Sequence, residues 1–116
     1  MEKKIKISDK EYTMKASAWT QFAYKDLTGR SFLTDIKELT KYADKEITLE
    51  DIEVVDEISE LLLPMTFVMV KEADPTQAVD YTDFLKGIDN LYDNITWMQE
   101  VIFLACSPIS RQLQNS

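Results

Sequence analysis

Histidine is absent from the chain, cysteine occurs once, at Cys106, and glycine only at Gly29 and Gly87. Without histidine there is no side chain of near-neutral pKa to serve as a general base, and the commonest zinc ligand is missing. One cysteine closes no intramolecular disulfide and completes no cysteine-rich zinc site; inside the apolar run VIFLAC it reads as a small core residue. Two isolated glycines build no phosphate-cradling loop of the P-loop or dinucleotide kind. A di-iron bundle wants a Glu-x-x-His repeat, and a calcium loop wants spaced Asp or Asn ligands about a glycine; neither pattern occurs. These absences predict a protein that is not an enzyme and holds no cofactor or metal, its many carboxylates forming a solvated face.

Long hydrophobic runs are missing too. The most apolar stretch, Leu61 to Val70, is ten residues, far short of the roughly 20 that span a bilayer. The N-terminus is lysine-rich and carries no apolar block of the signal-peptide type, which predicts a cytoplasmic protein with a reduced thiol. Basic residues are scarce overall, 13 Lys and Arg against 21 Asp and Glu for a formal charge of −8. The imbalance is local: residues 1–45 sum to +3 and residues 46–116 to −11. A phosphate backbone repels such a chain, so no nucleic-acid partner is expected, while a basic protein partner is compatible.

What is present suits one domain of 116 residues, expected over 1–107 with a flexible polar tail at 108–116. LLLPMTFVMV is its centre. Read as a helix from about Leu49, Val55, Ile58, Leu62, Met65 and Met69 form one stripe, and past Glu60 the other faces turn apolar, the mark of a buried helix. Pro64 predicts a kink, or a break into two helices. Glu50, Glu53, Glu57 and Glu60 supply an acidic outer face. Upstream, residues 3–15 alternate as a β-hairpin, with Asp9-Lys10 as the turn, Ile7 opposite Tyr12 and Ile5 opposite Met14. Ser17 is the expected N-cap of a helix with Trp19, Phe22, Ala23 and Leu27 at helical spacing, stopped by Gly29. Ser31 caps a second helix with Phe32, Ile36, Leu39 and Ala43, and Asp44-Lys45-Glu46 reads as a turn. Thr48 and Asp51 approximate a capping box for the central element. The fold class expected is mainly α (α+β), a small hairpin followed by four or five helices around the central apolar one.

After Asp74-Pro75, Thr82 is the expected cap of one long last helix whose stripe is Phe84, Ile88, Leu91, Ile95, Met98, Ile102 and Cys106, with Gly87 kept inside it and Pro108 at its end. A second stripe, Trp97, Val101 and Leu104, lies on the opposite side. Either the C-terminal half is threaded between two other elements, or the stripe is an exposed patch for another chain. Taken as a patch, it makes Trp97, Val101, Leu104, Met98 and Phe103 the candidate partner-binding residues. It also predicts self-association, since a lone hairpin and a bare stripe both need cover.

The order of elements resembles a known family. KIKISDKEYTMKAS leads into an aromatic helix ending in DLTG, then a charged helix, an acidic run into an apolar helix closing with KEADP, and a last helix opening YTDFLKGIDNL. This pattern is similar, up to about Ser107, to the tail assembly chaperones of long-tailed bacteriophages and prophages, in their short form. The resemblance implies an α-rich fold with a hairpin and a role in virion morphogenesis: coating the tape measure protein, keeping it soluble and helping to recruit tail tube protein. A longer form made by translational frameshifting commonly accompanies it in that family. Two other classes remain open, a head–tail adaptor or completion protein kept in the virion, and an acidic inhibitor or antitoxin mimicking nucleic acid.

Overall fold

The computed structural model describes residues 1–42, 48 and 50–108. The expected turn at Asp44-Lys45-Glu46, the expected stripe residue Ala43 and the polar tail beyond Pro108 lie outside the described residues. Two strands, β1 (Glu2–Ile7) and β2 (Lys10–Lys15), form an antiparallel hairpin, followed by five helices: α1 (Ala18–Thr28), α2 (Phe32–Thr40), α3 (Ile52–Ala73), α4 (Tyr81–Lys86) and α5 (Thr96–Cys106). A 3-10 turn at Pro75–Gln77 links α3 to α4. This is the α+β class that the alternation and helical periodicities imply.

The 22 residues of α3 form the axis, packed against β2, α1, α2, α4, α5 and the 3-10 turn. Its first half buries only the stripe at Val55, Ile58 and Ser59; from Leu62 to Val70 every residue except Pro64 is buried, because neighbours cover it all round. Burying each of the Leu, Ile and Met side chains of this stripe contributes about 1.5–3 kcal/mol, which makes α3 the chief source of cohesion. The helix runs unbroken through Pro64, so the two-helix alternative does not hold. Proline withholds the N–H that the Glu60 carbonyl would accept; Glu60 is exposed, and solvent can take that bond. The start also differs from expectation. Asp51 occupies the cap position with no side-chain bond, and α3 begins at Ile52, so Thr48 and Asp51 form no capping box there.

The hairpin keeps the expected face and changes the expected register. Ile5 pairs with Tyr12 and Ile7 with Lys10, making Ser8-Asp9 the two-residue loop in place of Asp9-Lys10. A shift of two leaves parity intact, so Ile5, Ile7, Tyr12 and Met14 still share the buried face. Ser8 takes φ 58° at the first loop position, where a two-residue hairpin of type II′ ordinarily uses glycine. Sequence rules favour Asp9 as a turn former without assigning which residue takes the positive φ.

Three caps form as the sequence implies. Ser17 Oγ accepts from the Trp19 N–H while Thr20 Oγ1 accepts from the Ser17 N–H, Ser31 caps α2, and Gly29 closes α1 at φ 73°. The single long last helix does not form. α4 starts from Asp80, not Thr82, with the Asp83 N–H donating to Asp80 Oδ1 at 2.7 Å, and it ends at Lys86. Residues 87–95 are not helical, because Asn side chains compete for the backbone. The Tyr92 N–H donates to Asn90 Oδ1 and the Thr96 N–H to Asn94 Oδ1, each a local turn in place of a helical bond. Ile88, Leu91 and Ile95 still pack against the core from this loop.

Candidate functional site: an apolar groove between α1 and α3

The candidate partner-binding residues of the second stripe are placed inside the molecule, with one exception. Trp97 is 1% exposed, and Met98, Val101 and Leu104 are equally buried; the Trp97 indole N–H donates to the Leu91 carbonyl at 2.8 Å. The expected exposed patch at Trp97, Val101 and Leu104 is thereby corrected: α5 is threaded between α3, β1 and α2, so both of its stripes are covered. Phe103 alone of the five faces out, at 59%.

Three exposed large apolar side chains are grouped on α1 instead. Trp19 is 61% exposed, Phe22 59% and Leu27 40%, so the aromatic stripe expected to seat this helix points away from the core. Polar contacts set the rotation. Thr20 is fully buried, serving the N-terminal cap and donating its hydroxyl to Glu72 Oε1 at 3.0 Å. One turn on, the buried Tyr24 donates its hydroxyl to Asp35 Oδ2, and Asp35 receives Arg30 Nε at 2.8 Å and Nη2 at 2.9 Å. The two-pronged Arg30 bond holds the Asp35 carboxyl below the usual carboxylate range. Burial and the adjacent Asp35 push the Tyr24 hydroxyl well above the ordinary tyrosine value. Four residues apart on α1, Thr20 and Tyr24 are anchored to α3 and α2, and their opposite face is left outward.

Between that face and α3 runs an open groove of about 740 Å³. Trp19, Phe22, Ala23 and Leu27 line it from α1, and Phe67 and Val68 from α3. The Phe67 ring lies 5.6 Å from Tyr81 and 5.7 Å from Phe84, and Phe84 meets Tyr12 edge-on at 5.4 Å, so the α3 side is braced by an aromatic cluster. Asp26, Lys71 and Glu72 complete the lining. Lys71 Nζ is already committed, donating to the carbonyls of Pro75, Ala78 and Val79 at 3.3, 3.0 and 3.1 Å. Glu72 Oε2 is buried with no hydrogen-bond partner among the described residues. The groove is therefore apolar along its length and acidic in uncommitted charge.

Among the described residues no group of three or more His, Cys, Asp or Glu side chains is placed to hold a metal ion, and no described helix is long and apolar enough to cross a membrane. Partial burial raises the Cys106 thiol above its usual value, which disfavours the thiolate. Sequence reasoning missed the groove because aromatic residues at helical spacing imply a core stripe. The contrary signal was the run Ser17, Thr20, Tyr24 and Thr28 on the other side of α1, a row of hydroxyls able to bond inward. Comparison with known proteins finds no matching family profile, no matching curated protein and no matching solved structure.

Proposed function

We propose that this chain is a non-catalytic binding protein that holds an apolar helical segment of a partner against α1 and α3. The observation that carries the reading is the pair of large aromatic side chains, Trp19 and Phe22, left more than half exposed beside a groove lined by Phe67 and Val68. Monomeric proteins rarely leave such side chains together without an occupant, and an amphipathic helix with anchors at i, i+3 or i+4 and i+7 fits a groove between two helices. The 11 residues of α1 extend over about 16 Å, room for three turns of an occupant.

Combined with the order of elements described above, this supports a phage tail assembly chaperone working in the host cytoplasm. Its groove would cover the apolar stripe of the tape measure protein until the tail tube encloses it, with tail tube protein as a further partner. The exposed carboxylates of Glu53, Glu57 and Glu60 keep the complex soluble. Co-expression with the tape measure protein tests the reading through the soluble fraction of that partner. Wild type raises the fraction; Trp19→Ser with Phe22→Ser loses the effect at unchanged melting temperature. A partner left insoluble by wild type overturns the chaperone reading, and retention of the chain in purified virions favours the head–tail adaptor instead.

A further inference from the structure

The two edges of the hairpin are finished differently. Met1 and Ala16 exchange both backbone bonds, each at 2.8 Å, which sets the phase of the ladder. With the register found, Lys3–Met14, Ile5–Tyr12 and Ile7–Lys10 are then the hydrogen-bonded pairs. Glu2, Lys4 and Lys6 on β1, and Glu11, Thr13 and Lys15 on β2, turn their backbone groups outward. On the β2 side the opening at Thr13 is closed: its N–H donates to Gln77 Oε1 at 2.9 Å, and Gln77 Nε2 donates to its carbonyl at 2.8 Å. One carboxamide thus makes the bond pair that a third strand would make.

The β1 side has no such closure. The outward N–H and C=O groups of Glu2, Lys4 and Lys6 find no partner among the described residues, and all three side chains are exposed. α5 packs against the strand, with Lys3 paired to Glu100 at 3.6 Å; Ser8 of the hairpin loop donates to Asp93, in the loop before α5, at 3.3 Å, and Ile5 and Ile7 are fully buried. The strand is thus seated through Ile5 and Ile7, and its unpaired edge is a template for pairing.

We propose that the β1 edge is a strand-addition site for an extended acidic segment of a partner protein. It shares no residue with the α1–α3 groove and is independent of what the groove binds. Backbone groups supply the attraction, and Lys4 and Lys6 supply the selection. Lysine on an edge discourages pairing with apolar or basic strands, and an acidic strand is the class it leaves favoured. A second copy of this chain satisfies the edge less fully: antiparallel β1–β1 pairing centred on Lys4 gains Glu2–Lys6 at each end and sets Lys4 against Lys4, pairing Glu2 with Lys4 leaves Lys6 without a carboxylate opposite, and the remaining register sets Lys4 against Lys6.

The experiment is an amide-resolved NMR titration of the full chain with blocked nine-residue peptides of alternating threonine and valine. They carry glutamate, glutamine or lysine at the sites facing Lys4 and Lys6. The glutamate peptide shifts and protects the amides of Glu2, Lys4 and Lys6, and binds about 2- to 30-fold tighter than the glutamine peptide, from two opposite-charge cross-strand pairs. Lys4→Pro removes one outward donor while sparing the bonds of Lys3 and Ile5, and abolishes binding; Lys4→Gln weakens it only several-fold. Should the proline variant fail to fold, Lys4→Glu with Lys6→Glu serves instead and reverses the preference to the lysine peptide. Equal binding of all three peptides, no shift at these amides up to millimolar peptide, or a homodimer closed through β1 overturns the proposal.

Discussion

The two tryptophans separate the core from the candidate site, and replacing each by alanine measures the difference. Trp97 is 1% exposed and its indole bonds the Leu91 carbonyl, so Trp97→Ala opens a cavity and strands an acceptor. The cavity costs about 3–5 kcal/mol. The lost hydrogen bond adds about 1 kcal/mol. An unfolding entropy near 2.1 cal/mol/K per residue gives this 116-residue chain about 0.24 kcal/mol/K. A loss of 4–6 kcal/mol then lowers the melting temperature by roughly 16–25 °C. A domain of this size has about 6–17 kcal/mol in total, so the variant is severely weakened and still able to fold in the cold. Trp19 is 61% exposed, and Trp19→Ala changes stability by no more than about 0.5 kcal/mol, roughly 2 °C. Thermal melts followed by circular dichroism, together with the soluble fraction of a co-expressed partner, give both readouts. Trp97→Ala should fail the first and Trp19→Ala the second. A Trp97→Ala protein that melts near wild type but loses the partner would refute the reasoning, because α5 would then be presenting a surface.

Asp35→Ala leaves the Tyr24 hydroxyl buried without its acceptor and frees Arg30, at a cost of about 3 kcal/mol by chemical denaturation. Because the folded Asp35 carboxyl sits below its unfolded value of about 3.9, its contribution is complete above that pH and is lost as pH falls through the folded value. Acid titration of wild type against Asp35→Asn should show this loss only in wild type. The raised Tyr24 hydroxyl has the opposite sense: its contribution is full below about pH 10 and lost as pH rises through the folded value, so Tyr24→Phe flattens the alkaline limb of stability. Pro64→Ala restores a helical N–H in the middle of α3 and should raise stability by about 2 kcal/mol, read as a higher denaturant midpoint at unchanged slope. Gly29→Ala places a Cβ at φ 73° and should cost about 1 kcal/mol.

Much of the fold was legible because the deciding interactions are local. Ser17, Ser31 and Gly29 terminate helices through bonds to residues two to four away, and the hairpin face follows from parity, which survived a two-residue shift in register. The apolar all-round surface of 62–70 implied a central helix, and α3 is that. Where several local signals compete, periodicity misled. Gly87 and the Asp and Asn residues at 89, 90, 93 and 94 favour turns, yet their apolar neighbours keep a helical period that the loop later satisfies without being helical. The site was the least legible part. Two apolar stripes on α5 and one on α1 compete for cover, and nothing within a single helix says which is left over. That is decided by distant partners, Glu72 for Thr20 and Asp35 for Tyr24, and by how α5 fits between β1 and α2.

Gln77 has a consequence for the order in which the protein is made. Its carboxamide binds Thr13 on the hairpin and also donates to the Val70 carbonyl at the end of α3, while the other strand of the hairpin rests on α5. The hairpin is thus completed by elements that are synthesised after it. At 5–20 residues per second, the roughly 90 residues between Lys15 and Cys106 take about 5–18 s to synthesise, far longer than a hairpin needs to form and dissolve. Through that interval the hairpin lacks its full cover, since α3 meets β2 first and α5 meets β1 last, and its five lysines disfavour pairing with neighbouring nascent chains. If these elements open together, the amides of β1, β2 and the C-terminal half of α3 should exchange with one common opening free energy.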